Sequence, residues 1–104
     1  MARVMVIYRT PKDAAAFDKY YFETHVPIAK RLPGLRKYEV SQGAVGSPAG
    51  DSGVHRIAML HFDDMAAIEA AFASPQGKAA MDDVRVFAPN EGDARILLFE
   101  SRQV

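Results

Sequence analysis

Apolar and polar positions recur along this chain with two different periods, and the period assigns the elements. Val4 to Tyr8 is a continuous apolar run closed by Thr10-Pro11, the pattern of a strand covered on both faces. Asp13 then precedes Ala14-Ala15-Ala16, where its carboxylate can accept from the first unpaired amides of a helix. At about 100° per residue, Phe17, Tyr21, Thr24, Ile28 and Leu32 share the inward face of that helix. Pro27 cannot donate to the carbonyl of Glu23, so a kink or break is predicted near His25. Leu32-Pro33-Gly34 is the stop signal.

Leu35 to Gly43 alternates in the manner of a second strand, and Ala44 to Gly53 is too polar and glycine-rich to be more than a loop. Val54 to Phe62 is the third strand. A helix capped by Asp63 or Asp64 carries Met65, Ile68 and Phe72 inward, and a shorter one starting at Ser74-Pro75 carries Met81, Val84 and Phe87. Ala94 to Glu100, with Ile96-Leu97-Leu98-Phe99, is the last strand. The order β-α-β-β-α-β contains two split β-α-β units, which predicts an α+β, ferredoxin-like plait with a four-stranded antiparallel sheet and its helices on one face. The strands carry too many apolar side chains for the other face to stay wet. Two protomers are therefore expected to pack sheet to sheet as a homodimer, a dimeric α/β barrel.

Length and charge narrow the range of functions. The 104 residues are 49% hydrophobic and 25% charged, the profile of one domain spanning 1–104. Thirteen basic residues balance thirteen acidic ones, which gives no general attraction to nucleic acid or to an anionic membrane surface. No apolar run is long enough to span a membrane and no cleavage-site pattern follows Met1, so a cytoplasmic protein is expected. The absence of cysteine excludes disulfides, thiolate nucleophiles and thiolate metal sites. No cofactor motif is present: Ser74-Pro75-Gln76-Gly77-Lys78 is a helix start and lacks the spacing of a phosphate loop.

Among three histidines, four tyrosines and thirteen carboxylates, His25 is the candidate for proton transfer. It sits beside Tyr21 at i−4, just before the kink, and only an imidazole titrates near neutral pH unaided. The competing reading is a purely structural ring N–H that caps carbonyls loosened around Pro27. His55 and His61 fall on the same side of their strand, roughly 20 Å apart at about 3.3 Å per residue, too far to chelate one ion. No metal site is expected. Tyr21 and Tyr8 are retained as pocket residues. Asp63-Asp64 and Asp82-Asp83 read as caps and solvent-exposed side chains, because adjacent helical residues diverge by about 100°.

Tyr20-Tyr21-Phe22-Glu23-Thr24-His25-Val26-Pro27, followed by Leu32-Pro33-Gly34-Leu35-Arg36-Lys37-Tyr38, resembles the signature of the EthD family, small proteins named for bacterial degradation of ethyl tert-butyl ether. Val6 to Arg9, Phe17 to Tyr21, Leu60-His61-Phe62-Asp63 and Ser74 to Lys78 are similar to that family too. The resemblance implies the dimeric α/β-barrel superfamily, which includes haem-degrading monooxygenases, cofactor-free oxygenases and lactone isomerases. It also implies a place in an oxygenase-linked degradation pathway, with the family histidine at His25 and the following proline at Pro27. Related lactone isomerases use such a histidine, and some add cysteines that this chain lacks.

The combined expectation is a protein acting on a small, largely apolar organic molecule. That molecule would be bound between the first helix and the sheet by Tyr21, Tyr8, Phe17 and Ile28, with His25 as acid/base and no cofactor. The alternatives are a non-catalytic binding or auxiliary protein for an oxygenase system, and haem binding through His25.

Overall fold

The computed structural model describes all residues 1–104. Strands β1 (Ala2–Arg9), β2 (Lys37–Val40), β5 (Val54–Phe62) and β6 (Ala94–Glu100) form one antiparallel sheet in the order β2-β5-β1-β6. This is the ferredoxin-like plait expected from the element order. The segment from 44 to 53 holds a small two-stranded hairpin, β3 (Gly46–Ser47) with β4 (Gly50–Asp51). Strand β2 is shorter than its alternation suggested, but ladder bonds continue at both ends, from the Arg36 amide to His61 and from the Ser41 amide to Ile57, each 2.8 Å.

The long first helix is divided into three. α1 (Ala14–Tyr20) starts where Asp13 accepts from the Ala16 amide at 3.0 Å. A π-helical turn, Tyr21–His25, follows, and α2 (Val26–Ala29) completes the segment. The Val26 amide bonds the Tyr21 carbonyl five residues back, the π spacing. Pro27, with no amide proton, falls in the first turn of α2, where none is needed. The widened turn keeps both Tyr21 and His25 on the inward side, and both are buried.

α3 (Met65–Ala73) is capped by Asp64, and α4 (Pro75–Phe87) by Ser74, whose hydroxyl accepts from the Gly77 amide. All helices lie on one face of the sheet. The core forms there, from Val4, Val6, Tyr8, Ala58, Leu60 and Phe62 of the strands packed against Phe17, Tyr21, Ile68, Ala71 and Ala80. The alternate strand positions, including Met5, Ile7, Ile57, Met59, Leu97 and Phe99, point to the opposite face, which no element of the chain covers.

Candidate functional site

His25 is brought against α4 by the π-helical turn. Its Nδ1 lies 2.8 Å from Asp83 Oδ2, and the Tyr20 hydroxyl donates to Asp83 Oδ1 at 2.6 Å. A carboxylate only accepts, so Nδ1 carries the proton and Nε2 keeps its lone pair, with no hydrogen bond to the protein. Burial lowers the His25 pKa from its ordinary value, and the opposing pull of Asp83 does not restore it. The ring is therefore neutral at pH 7, with one orientation and one tautomer.

His25 borders a small cavity of about 30 Å³, together with Tyr8, Tyr38 and a wall of aliphatic side chains that includes Val6, Leu60 and Val84. A water needs roughly 10–15 Å³ by this measure, so the cavity has room for two or three waters and not for an organic molecule. The Tyr21 and Tyr38 hydroxyls share a hydrogen bond of 2.7 Å. Burial pushes the hydroxyls of Tyr8, Tyr21 and Tyr38 above the usual phenol range. At neutral pH these hydroxyls stay protonated, and Tyr8 and Tyr38 share the cavity wall with His25, whose Nε2 can only accept.

The other candidates are distributed around this centre. Tyr8 is in the cavity wall. Tyr21 packs against the His25 ring at 5.5 Å between centroids. Phe17 stacks on Tyr21 at 6.0 Å and faces a different depression, and Ile28 lies in a separate surface hollow with Arg31 and Pro75. The structural alternative for His25 also changes form, because its ring N–H is given to a carboxylate of α4 and not to carbonyls of its own helix.

Two expectations need correction. Asp83 is buried and hydrogen-bonded, while its neighbour Asp82 stays exposed beside Arg85. The sequence carries the signal: Ala80, Asp83 and Phe87 are spaced i, i+3 and i+7, so Asp83 belongs to the inward stripe of α4 and only Asp82 points away. His55 and His61 do not share a face. A β-bulge after Tyr8, where Arg9 pairs with Val54 and Tyr8 with Arg56, turns His55 toward α1. There it bonds Asp18 at 2.8 Å, beside buried Arg56, which reaches the same carboxylate at 2.9 Å. His61 stays on the open face and bonds Glu39 at 2.7 Å.

A haem ligated by His25 does not fit this arrangement, since the space at Nε2 is far smaller than a porphyrin and is walled by packed aliphatic side chains. No three His, Cys, Asp or Glu side chains converge to hold a metal ion. No helix is long and apolar enough to cross a membrane.

Comparison with known proteins places the chain in a family. Residues 9–91 match the EthD domain. An uncharacterized 11.0 kDa protein from the thcB-thcC intergenic region of Rhodococcus erythropolis is 37% identical over 90 residues, covering 85% of this chain and 84% of that protein. The crystal structure of an ethyl tert-butyl ether degradation (EthD) family protein from Bacillus halodurans superposes with a TM-score of 0.89 at 32% identity, covering 98% of this chain and 99% of that one. SnoaB, a cofactor-independent oxygenase from Streptomyces nogalater, shares the fold with a TM-score of 0.67 at 17% identity over 99% of this chain and 94% of its own. By the extent of the domain match and the identity to these relatives, the chain belongs to the EthD family.

Proposed function

We propose that the protein transfers a proton to or from a small, largely apolar organic molecule in a degradative, oxygenase-linked pathway, with His25 as the acid/base and no cofactor. The observation that carries this reading is the neutral imidazole whose Nδ1–H is held by buried Asp83, which leaves Nε2 free at an apolar cavity. A general base needs its lone pair aimed and unprotonated, and both conditions follow from the Asp83 bond and the burial of the ring already described. Tyr8 and Tyr38, kept protonated by burial, supply donors for an oxygen that gains negative charge as the proton leaves. The reading agrees with the cofactor-independent oxygenase whose fold is shared. Because the cavity is only about 30 Å³, an organic ligand enters by displacing side chains.

A second reading, a non-catalytic holder of a pathway intermediate, draws on the nearly all-apolar lining of the cavity. Incubation of one- and two-ring lactones, phenols and ketones with the protein in D2O separates the two. Proton transfer at Nε2 leaves deuterium in a C–H acid. The wild type is expected to label at least one compound, and His25→Ala to do so at least about 100-fold more slowly while remaining folded. Equal labelling by both proteins removes His25 from the chemistry, and a compound that is bound but never labelled favours the holder.

The uncovered sheet face is read as the seat of a homodimer, with two copies of the barrel packed through Met5, Ile7, Ile57, Met59, Leu97 and Phe99. Their apolar character and the absence of any covering element support it.

A further inference from the structure

Beside that cavity lies a second, larger depression of about 330 Å³, between the end of β1, the start of α1 and the end of α4. Its floor is aromatic, from Phe17 and Phe87, and its rim carries Arg9, Lys12 and Asp93. Phe87 stands between that depression and His25. Its ring lines the depression on one side and packs on the His25 ring on the other, at 4.8 Å between centroids. It also touches Tyr8 at 5.5 Å and Phe17 at 5.4 Å. Phe87 is the last residue of α4: the Ala88 amide still bonds the Val84 carbonyl at 2.8 Å, Ala88 leaves the helical conformation and Pro89 has no amide to donate.

The rim has a definite charge. Arg9 is engaged by Asp93 at 2.6 Å, whereas Lys12 is exposed and forms no ion pair, so one positive charge is left over an aromatic floor. A volume near 330 Å³ lies at the low end of small-molecule sites, which run from roughly 300 to 1,000 Å³. Two phenylalanine rings beside one unpaired cation and polar groups such as Thr10 and Asn90 suit an amphipathic monoanion.

We propose that this depression is the entry and docking site for a small carboxylic acid with an aromatic or alicyclic ring, and that Phe87 is the wall that swings to admit its body to His25. The inference rests on the His25 reading and sharpens its substrate from an apolar molecule to a ring bearing one carboxylate. The ring lies on Phe17 and Phe87, and the carboxylate faces Lys12 and the outer edge of Arg9. No charge then has to enter the aliphatic cavity, where a carboxylate would find no cation.

The test uses the full-length protein and two probes, sodium benzoate and neutral benzyl alcohol, followed by NMR of the Phe17, Phe87 and His25 ring signals. Benzoate is expected to shift the Phe17 and Phe87 rings and to bind at least about fivefold more weakly to Lys12→Glu, with the difference shrinking in 0.5 M salt. Benzyl alcohol should bind equally to both proteins. Phe87→Leu, which keeps an apolar side chain and the fold, should enlarge the benzoate-induced shift at His25. The inference is overturned by benzoate that leaves Phe17 and Phe87 unmoved, that binds Lys12→Glu as well as wild type, or that shifts His25 no further in Phe87→Leu. These binding readouts do not depend on proton transfer. Loss of the His25 chemistry in the D2O experiment thus leaves the docking site standing, and loss of the docking site leaves the chemistry standing.

Discussion

At His25 two effects oppose each other, and their balance sets a measurable pH dependence. Burial disfavours the imidazolium, Asp83 favours it, and burial prevails, so the native pKa lies below the ordinary value. An imidazole that binds its proton more readily in the unfolded chain contributes fully to stability above the unfolded pKa of about 6.5 and progressively less as pH falls through it toward the lower native value. The loss in that window is about 1.4 kcal/mol for each pH unit, and His25→Gln should abolish it in urea titrations between pH 7 and pH 5. Asp83→Asn removes the counter-charge and keeps the shape. The native pKa of His25 should then drop further in an NMR titration, and the acid-side loss of stability should run on to lower pH. A His25 pKa that stays constant or rises in Asp83→Asn would mean that the carboxylate is not the partner on which the tautomer depends. Asp83→Ala, which orphans both the His25 ring N–H and the Tyr20 hydroxyl, should cost about 1–3 kcal/mol.

Among the elements, α4 carries the partners of the site, and its seat on α3 depends on one residue. A Cβ built on Gly77 would lie 2.3 Å from the Ala71 carbonyl oxygen and 2.5 Å from the Phe72 Cα, both backbone atoms that cannot turn aside. By helix propensity alone Gly77→Ala should stabilise α4 by up to about 1 kcal/mol. The contact reverses the sign: the variant should lose roughly 1–3 kcal/mol by chemical denaturation, and the displaced α4 should loosen the Asp83 bond to His25. The same helix shows where sequence reading ends. Period and caps located every strand of the main sheet and every helix, because burial on one face leaves its mark on each. The interruption at Pro27 pointed to the turn that holds His25. Asp83 was overlooked as one of two adjacent aspartates, although its spacing from Ala80 and Phe87 placed it inward. The bulge that turns His55 and Arg56 toward Asp18 had no local signal, since it arises from the register between β1 and β5 and not from either strand alone. The depression over Phe17 and Phe87 joins two stretches about 70 residues apart, 9–17 and 87–93, and was equally invisible.

For the whole molecule the decisive feature is the bare side of the sheet. Register places Met5 opposite both Met59 and Leu97, Ile7 opposite Ile57, and Phe99 opposite Arg3, so the apolar residues form one continuous patch across the three strands β5, β1 and β6. Charged and polar groups gather toward its margins, with Arg3, His61, Glu39 and Lys37 at one end and Arg95 at the β6 edge. That arrangement is an apolar centre with a polar rim, as in a protein interface. Fully removing an aliphatic or methionine side chain from water contributes about 1.5–3 kcal/mol, so covering these side chains with a second copy would stabilise the two-fold pair proposed above. Met59 is at its centre, on the strand between β2 and β1, with Glu39 and Met5 as its neighbours in register. A glutamate there would have to be buried between the two sheets and beside Glu39, whereas in the separated protomer it would be solvated. Met59→Glu should therefore raise the dimer dissociation constant by at least about 100-fold while leaving the helix-side core untouched. Sedimentation equilibrium at micromolar concentration should give the mass of two protomers for wild type and of one for the variant. His25 should titrate alike in both, because it lies on the covered side of the sheet. A wild-type mass of one protomer under those conditions would rule out the sheet-to-sheet pair, and an undiminished dimer in Met59→Glu would move the interface elsewhere on the surface.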